Sequence, residues 1–323
     1  MKYLVLIGDG MSDLPVKELK GKTPLEAAQT PNMDFMAQQG DCGWTLNVPA
    51  GLPPGSDVAA VSIFGYDPRK CYTGRGPLEA ASLGVRLKKG EVAFRLNLVT
   101  VKDGRMDDFT SGHISTAEAR KIIATLDKKL GSKDIRFYPG LSYRHLLIIR
   151  NSSLEISNSK CTPPHDITGK MIDGYLPQGP GAGLLKHLMK ESIMPLFEHP
   201  VNIRRIRNGK KPASMIWLWG QGAEPAMKSF QQQYKKSAAV ITAVHLLKGL
   251  GKILGMDVIM SPGPPVFSTR IILARLSMLL KLLRNTMWSL CMWKPPTRPG
   301  IWGTLRGRSR QSKTSIRKLS ELF

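Results

Sequence analysis

Short apolar runs alternate with amphipathic segments along the first 260 residues of this 323-residue chain. Apolar or alternating runs predict strands at residues 3–7, 91–101, 143–150, 214–219 and 256–260. Helical spacing predicts helices at 56–65, 78–83, 115–130, 182–191 and 239–254, with two shorter ones inside 23–39. This interleaving predicts an α/β or α+β fold with a mostly parallel main sheet.

Composition excludes several classes of protein. A hydrophobic content of 42% with 22% charged residues excludes wholesale disorder. No uncharged apolar stretch reaches about 18 residues, so we expect no membrane span, and the apolar run after Met1 is too short for a signal peptide. Cys42, Cys71, Cys161 and Cys291 show no paired spacing, so we expect a cytoplasmic protein without disulfides.

The formal net charge of +23 is unevenly distributed. Residues 261–323 contain 12 Lys and Arg but a single acid, Glu321, a balance of +11. This break in composition predicts a boundary near residue 260. A basic tail of this kind is typical of an arm that binds nucleic acid or an anionic membrane surface, which is one hypothesis for its function.

Asp9 and Ser56 are the first candidate site residues. Asp9 lies between two glycines after the first predicted strand, where open α/β sheets place ligands, although an aspartate there is equally typical of a turn. Ser56 opens a predicted helix after a Gly/Pro loop. The helix N-terminus would favour an attack on phosphate, but an N-cap serine is the ordinary alternative.

Further candidates lie in polar loops and at strand ends. His113 precedes a helix and could shuttle a proton or bind phosphate. Arg75 and Arg144 could clamp an anion through their fork of donors, or could form surface salt bridges. His165 and Asp166 are a possible metal pair by residue type, and their Pro-rich surroundings are equally typical of a turn.

Taken together, several strings resemble the archaeal-type cofactor-independent phosphoglycerate mutases of the alkaline phosphatase superfamily. They are Ile7-Gly8-Asp9-Gly10-Met11, Gly55-Ser56-Asp57-Val58-Ala59, Tyr72-Thr73-Gly74-Arg75-Gly76-Pro77, Phe109-Thr110-Ser111-Gly112-His113, Ser142-Tyr143-Arg144-His145, Pro164-His165-Asp166 and Ile216-Trp217-Leu218-Trp219-Gly220. They run in family order over residues 1–260. The resemblance implies an alkaline-phosphatase-like core with a mostly parallel sheet, interrupted by an inserted α+β substrate domain.

The resemblance also implies a chemistry. Ser56 would accept the phosphoryl group of 3-phosphoglycerate and return it to the neighbouring oxygen, giving 2-phosphoglycerate, a step of glycolysis and gluconeogenesis. Two divalent metal ions, Mn²⁺ or a similar ion, would assist. The implied metal ligands are Asp9 and Ser56, and the implied substrate-binding residues are Asp57, Arg75, His113 and Arg144. The partner would be this small molecule, with no nucleic acid and no membrane.

The implied domains are 1–87 for the first part of the core, 88–213 for the insert, 214–260 for the return to the core and 261–323 for an aberrant tail.

The family supplies further metal ligands in its second half, as an Asp-x-x-x-His string, an Asp-His pair and a later His. After Met260 this chain has neither Asp nor His. The alkaline-phosphatase-like core is therefore expected to be incomplete at its C-terminal end, where these ligands would lie.

The genetic code offers an explanation for this loss. Codons for residues 292–306 can be chosen so that reading one base earlier gives Val-Glu-Ala-Pro-Asp-Glu-Ala-Gly-His-Met-Gly-Asp-Leu-Glu-Gly, which resembles the family's metal-binding segment. The same shift turns residues 261–267 and 308–323 into family-like strings. We therefore hypothesise a one-base frameshift near residue 260, which would impair the enzyme. The alternatives are another phosphatase, phosphomutase or kinase of the same superfamily, or a binder acting through the basic tail.

Overall fold

The computed structural model describes residues 2–8, 11, 13–150, 154–260 and 288–293. The candidate ligand Asp9 and the supposed out-of-frame segments 261–287 and 294–323 lie outside these residues. The chain divides into two compact units. One contains Met1–Pro49 and Lys228–Phe323, and the other contains Ala50–Met227. The predicted limits of an inserted domain, 88–213, fall inside this second unit.

Strands and helices alternate in both units. The strands are β1 Tyr3–Gly8, β2 Val92–Lys102, β3 Arg105–Asp108, β4 Ile135–Leu141, β5 Arg144–Ile149, β6 Met215–Ala223, β7 Ala238–Thr242, β8 Asp257–Met260 and β9 Trp288–Trp293. The helices are α1 Pro31–Gln39, α2 Ser56–Ile63, α3 Pro68–Cys71, α4 Arg75–Leu83, α5 Thr116–Leu130, α6 Ala182–Glu191, α7 Ile193–Phe197, α8 Pro200–Arg207, α9 Phe230–Tyr234 and α10 His245–Ile253. Within the described residues, no helix is long and apolar enough to cross a membrane.

The first unit contains a four-stranded parallel sheet in the order β1-β9-β7-β8. The sequence predicts a helix over 239–254, and this is wrong for β7, because a short, fully buried apolar run fits a parallel strand as well as a helix. The helix begins only at His245. β9 comes from the tail and its backbone pairs with β1 and β7, so the predicted incompleteness of the core is not confirmed at this position.

The second unit contains a larger sheet in the order β3-β2-β5-β4, with β6 paired to β2. All of its neighbouring strands are antiparallel. The mixed α/β class is therefore confirmed, whereas the prediction of a mostly parallel main sheet is wrong. Asp103 and Gly104, both with positive φ, form the hairpin turn that joins β2 to β3. The short strand β4, which local sequence did not indicate, extends the antiparallel sheet beyond β5.

The core of the second unit lies between one face of β2 and helix α5. Phe94, Leu96 and Leu98 alternate along β2, are fully buried, and share a cluster with Ile122 and Leu126 of α5. Burying a side chain of this size contributes about 1.5–3 kcal/mol each. Because successive residues of a strand point to opposite faces, the intervening positions of β2 lie on the other face.

Helix α5 begins as the sequence predicts. The Ser115 hydroxyl accepts a hydrogen bond from the Glu118 backbone, and the Glu118 carboxylate accepts one from the Ser115 backbone, which is a capping box. The cap fixes the position at which the chain leaves the loop that carries His113.

His145 on β5 makes the stability of the second unit depend on pH. Its side chain is 3% exposed, and Nδ1 accepts a hydrogen bond from the Gly140 backbone at 3.0 Å. Burial, reinforced by the charge of Arg144, lowers the pKa of His145 to about 3. In the unfolded chain the imidazole of His145 is protonated below about pH 6.5, but in the folded chain only below about pH 3. The contribution of neutral His145 to the free energy of unfolding is therefore fully present above about pH 6.5 and is lost as the pH falls from there towards about 3.

We expect the wild-type chain to lose about 2 kcal/mol of unfolding free energy between pH 7.5 and pH 5 from this residue, and His145→Gln to lose much less. Urea unfolding followed by near-UV circular dichroism at the two pH values measures the difference. His187→Gln on the exposed side of α6 is the matched control and should follow the wild type. If His145→Gln shows the full wild-type decrease, His145 is not the titrating group.

Candidate functional site

The face of the larger sheet opposite α5 carries a group of polar and charged side chains. Arg95 of β2 lies opposite Trp219 of β6, and Asn97 of β2 lies opposite Arg144 of β5. Residues directly opposite each other in an antiparallel pair project from the same face. Three strands therefore bring these four side chains together in a unit otherwise built from apolar strands.

Trp219 is the platform of this group. The guanidinium carbon of Arg95 lies 4.3 Å from the centroid of the indole ring, and that of Arg75 lies 5.8 Å away. The indole N–H donates to Oδ1 of Asn97 at 3.0 Å, and the amide of Asn97 donates to the Phe109 carbonyl at 3.2 Å. The ring is thus fixed in orientation while its face attracts two cations.

The cationic charge of this group is only partly neutralised. Oε1 of Glu79 lies 3.7 Å from Nε of both Arg75 and Arg95, and Arg144 has no ion pair within the described part of the chain. Three guanidinium groups and one carboxylate leave a balance of +2. The Nε atoms of all three arginines are buried and have no hydrogen-bond partner among the described residues. This is the electrostatic signature of a site that accepts an anion.

Arg95 is the most deeply buried arginine of this group. Its side chain is 4% exposed. Burial, together with the neighbouring charges of Arg75 and Arg144, lowers the pKa of Arg95 to about 10, although the carboxylate of Glu79 opposes the change. The residue stays charged at neutral pH, so a bound anion would satisfy donors that burial has removed from water.

Aromatic rings border the arginines. The imidazole of His165 lies 5.3 Å from the ring of Trp219 and 6.0 Å from that of Phe109, edge to face in both cases. Burial lowers the pKa of His165, as do the charges of Arg95 and Arg75, whereas Asp166 raises it. His165 therefore lies beside the arginine group, and in the described ranges no three His, Cys, Asp or Glu side chains converge to complete a metal site with it.

Close backbone contact holds Arg75 in place. A Cβ atom on Gly74 would overlap the carbonyl oxygen of Gln221, and one on Gly76 would overlap that of Ala93. Gly74 also has φ of +147°, a conformation that residues with a side chain rarely adopt. The hydroxyl of Thr73 donates to the Ala223 carbonyl at 2.6 Å. The start of α4 is therefore pressed against β2 and β6.

Ser56 is the first helical residue of α2 and is exposed. The N-cap is Gly55, so Ser56 is not the ordinary N-cap serine that the sequence left open. The next residue, Asp57, is 6% exposed, and its Oδ2 accepts a hydrogen bond from the Tyr72 hydroxyl at 2.5 Å. Asp57 is thus engaged by the protein at one of its two carboxylate oxygens.

The predicted residues are only partly brought together. Arg75 and Arg144 lie in one group, as a substrate clamp requires. His113 is exposed and has φ of +50°, and no contact of the described residues joins it to the arginines. The buried Arg205 donates to the Ser111 carbonyl at 2.6 Å and pairs with Glu118 at 3.0 Å, and so holds the loop that carries His113.

Sequence reasoning missed Arg95, Trp219 and Glu79. One signal was available for Arg95, which interrupts an otherwise apolar run on the central strand β2. An arginine at such a position is almost never fully buried without a partner. Glu79 and Trp219 carried no comparable signal, because each occupies an ordinary position for its residue type.

Comparison with known proteins supports the resemblance. The family profile described as 2,3-bisphosphoglycerate-independent phosphoglycerate mutase matches residues 37–202. A protein of that name from Methanosarcina barkeri is 56% identical over 259 residues, which is 80% of this chain and 65% of the relative. One from Geobacter sulfurreducens, named a probable enzyme of this kind, is 52% identical over 267 residues, covering 81% of this chain and 66% of the relative. The chain spans just under two thirds of the length of these relatives.

Two solved structures are similar to the whole chain. A protein from Pyrococcus horikoshii gives a TM-score of 0.78 at 28% identity, covering 99% of this chain and 77% of the other. The cofactor-independent phosphoglycerate mutase of Thermoplasma acidophilum gives 0.60 at 26% identity, covering 100% and 83%. Since the profile matches just over half of its residues, this chain belongs to the 2,3-bisphosphoglycerate-independent phosphoglycerate mutase family.

Proposed function

We propose that this chain is built to interconvert 2-phosphoglycerate and 3-phosphoglycerate through a phosphoserine at Ser56. The observation that carries the proposal is that Arg75 and Arg95 lie at the face of Trp219 and share the carboxylate of Glu79, while the charge of Arg144 also acts on Arg95. Both phosphoglycerates carry a carboxylate and a phosphate, so either one presents two anionic groups to this group of cations. The family names of the relatives point to the same substrate.

The three arginines have the chemistry to hold such a substrate. Each guanidinium is a planar fork that can donate two parallel hydrogen bonds to a carboxylate or a phosphate. Arg95 is positioned most rigidly, because it lies between the Trp219 ring and Glu79. We retain His113 as a substrate-pocket residue by proposal only, since it lies on a loop outside the arginine group.

The proposed phosphoryl transfer needs only the substrate and the hydroxyl of Ser56 as reactants. A bond forms between Oγ of Ser56 and phosphorus as the bond from phosphorus to the substrate oxygen breaks, and the hydroxyl proton ends on the released oxygen. The reverse step places the phosphoryl group on the neighbouring oxygen. Backbone N–H groups at the start of α2 favour the negative charge of the transferring group, because the first turn of a helix leaves them unpaired.

Two divalent metal ions, Mn²⁺ or a similar ion, remain part of the proposal, with Asp9 and Ser56 as ligands. Asp9 lies outside the described residues, and among those no three candidate ligands come together. No step above therefore passes through a metal. When bound, such ions would lower the pKa of the serine hydroxyl and neutralise phosphoryl oxygens.

The most direct test of this function uses the full chain with 3-phosphoglycerate and Mn²⁺. We expect 2-phosphoglycerate as product and one added phosphoryl group on Ser56, detected by intact-mass and peptide mass spectrometry. Ser56→Ala should abolish both, whereas Ser62→Ala on the same helix should abolish neither. Release of free phosphate without 2-phosphoglycerate would indicate a phosphatase, and transfer to an added sugar or alcohol would indicate another phosphomutase or a kinase.

Arg95→Lys tests the arginine group separately from catalysis. The substitution keeps the charge but removes the planar fork and its stacking on Trp219, so we expect the dissociation constant for 3-phosphoglycerate to rise at least about tenfold. Isothermal titration calorimetry without added metal measures it. The control is Arg136→Lys, an exposed arginine paired with Asp127 at 3.0 Å, which should change affinity less than about twofold. Equal affinities for the two variants would rule out the assignment.

We also propose that residues 261–323 are encoded out of frame. The absence of Asp and His from this segment and the family-like strings one base earlier support this. Under this hypothesis the tail binds no nucleic acid or membrane by design, its basic charge being accidental.

The gene sequence across the codons for residues 255–265 tests the frame. We expect the earlier frame to continue as a family segment, and the frame-restored chain to bind Mn²⁺ more tightly and turn over faster than the chain as written. A stop codon or an unrelated peptide in the earlier frame would end the hypothesis. So would metal-dependent mutase activity at the same level from both chains.

A further inference from the structure

We propose that Tyr72 is a positioning residue that couples the arginine group to the nucleophile-bearing turn of α2 through its hydrogen bond to Asp57. The inference rests on the proposed function for the role of Ser56, and on the structure for the coupling. It concerns one continuous path, from the sheet through Tyr72 and Asp57 to Ser56.

The first part of the path is a close backbone contact. Tyr72 directly precedes the segment 73–76, whose backbone lies against β2 and β6. Gly74 and Gly76 lie against backbone carbonyls of both strands, and Thr73 is hydrogen-bonded to Ala223. Because the same segment carries Arg75, the position of Tyr72 is tied to the position of an arginine of the proposed substrate site.

The second part is a short, partly buried hydrogen bond. The Tyr72 hydroxyl donates to Oδ2 of Asp57 at 2.5 Å, in the range of strong O–H···O⁻ bonds. Burial raises the pKa of Tyr72, as do the negative charge of Asp57 and this hydrogen bond, so the hydroxyl stays protonated and keeps donating. The charges of Arg75 and Arg95 oppose the rise, which means that both guanidinium groups act on Tyr72.

The third part is the backbone itself. Asp57 is the second residue of α2 and Ser56 is the first, so a fixed Asp57 carboxylate fixes the turn that presents the Ser56 hydroxyl. An anion that binds Arg75 and Arg95 restrains residues 72–76, and Tyr72 passes that restraint to α2. Since coupling between two sites is reciprocal, ordering of the α2 turn also favours anion binding. Asp57, which the sequence suggested as a substrate ligand, is reassigned to this path.

Hydrogen exchange of the peptide covering residues 55–63, with and without 3-phosphoglycerate, tests the coupling in the full chain. We expect Tyr72→Phe to speed exchange in the ligand-free protein roughly tenfold, since a hydrogen bond to a charged group is lost. We also expect 3-phosphoglycerate to slow this exchange in the wild type but not in Tyr72→Phe. Tyr138→Phe, a half-buried tyrosine of β4 in the same unit, is the matched control and should behave as the wild type.

Two further readouts separate positioning from a merely structural role. The dissociation constant for 3-phosphoglycerate should change less than about twofold in Tyr72→Phe, whereas the rate of phosphoserine formation should fall about tenfold or more. Asp57→Asn, whose amide oxygen can still accept from Tyr72, should restore most of the protection that Asp57→Leu loses.

The outcomes are distinguishable. Unchanged exchange and unchanged ligand protection in Tyr72→Phe would overturn the proposal, and so would loss of 3-phosphoglycerate binding in that variant, which would make Tyr72 a ligand contact. If the wild type binds no 3-phosphoglycerate, the proposed function fails, and the positioning role is then decided by the ligand-free exchange of Tyr72→Phe alone.

Discussion

The buried guanidinium of Arg95 on the central strand β2 is the constraint on which the surrounding structure depends. A buried guanidinium is costly unless its charge is balanced and its donors are used. Trp219 supplies a ring face at 4.3 Å and Glu79 a carboxylate at 3.7 Å, but neither satisfies the buried Nε. Under the proposed function, a bound anion would accept hydrogen bonds from these buried donors.

Other elements of the second unit position the arginines and Trp219. The capped helix α5 covers the apolar face of β2, which leaves the opposite face for polar groups. Glycines at 74 and 76 let the start of α4 lie flat on β2 and β6, and this places Arg75 over the same indole ring. Tyr72 lies at the end of that contact and donates to Asp57, so protein contacts within one compact unit link the arginines to the residue next to Ser56, the proposed nucleophile.

Local signals in the sequence predicted the local features. The helices that begin near Ser56 and Ser115 each depend on a few neighbouring residues. The antiparallel order of the larger sheet, the strand nature of β7 and the position of His165 beside Trp219 depend on long-range pairing, and local pattern carries no information about it. Arg95 was overlooked because an arginine in a strand reads as an exposed position until both neighbouring strands are known.

The first unit differs from the second in how much apolar surface it covers. Helix α1 buries no side chain, and Leu4 and Leu6 of β1 are 40% and 38% exposed, whereas β7 in the same sheet is buried throughout. Apolar strands of parallel sheets are normally covered on both faces. Among the described residues, β1 is therefore less covered than β7 of the same sheet.

The central claim is that three arginines around Trp219 form the binding site for phosphoglycerate. A crystal structure of the chain grown with saturating 3-phosphoglycerate tests it most directly. The account predicts a carboxylate or phosphate oxygen within about 3 Å of guanidinium nitrogens from at least two of Arg75, Arg95 and Arg144. The ligand bound elsewhere, with these arginines contacting only water, would contradict it.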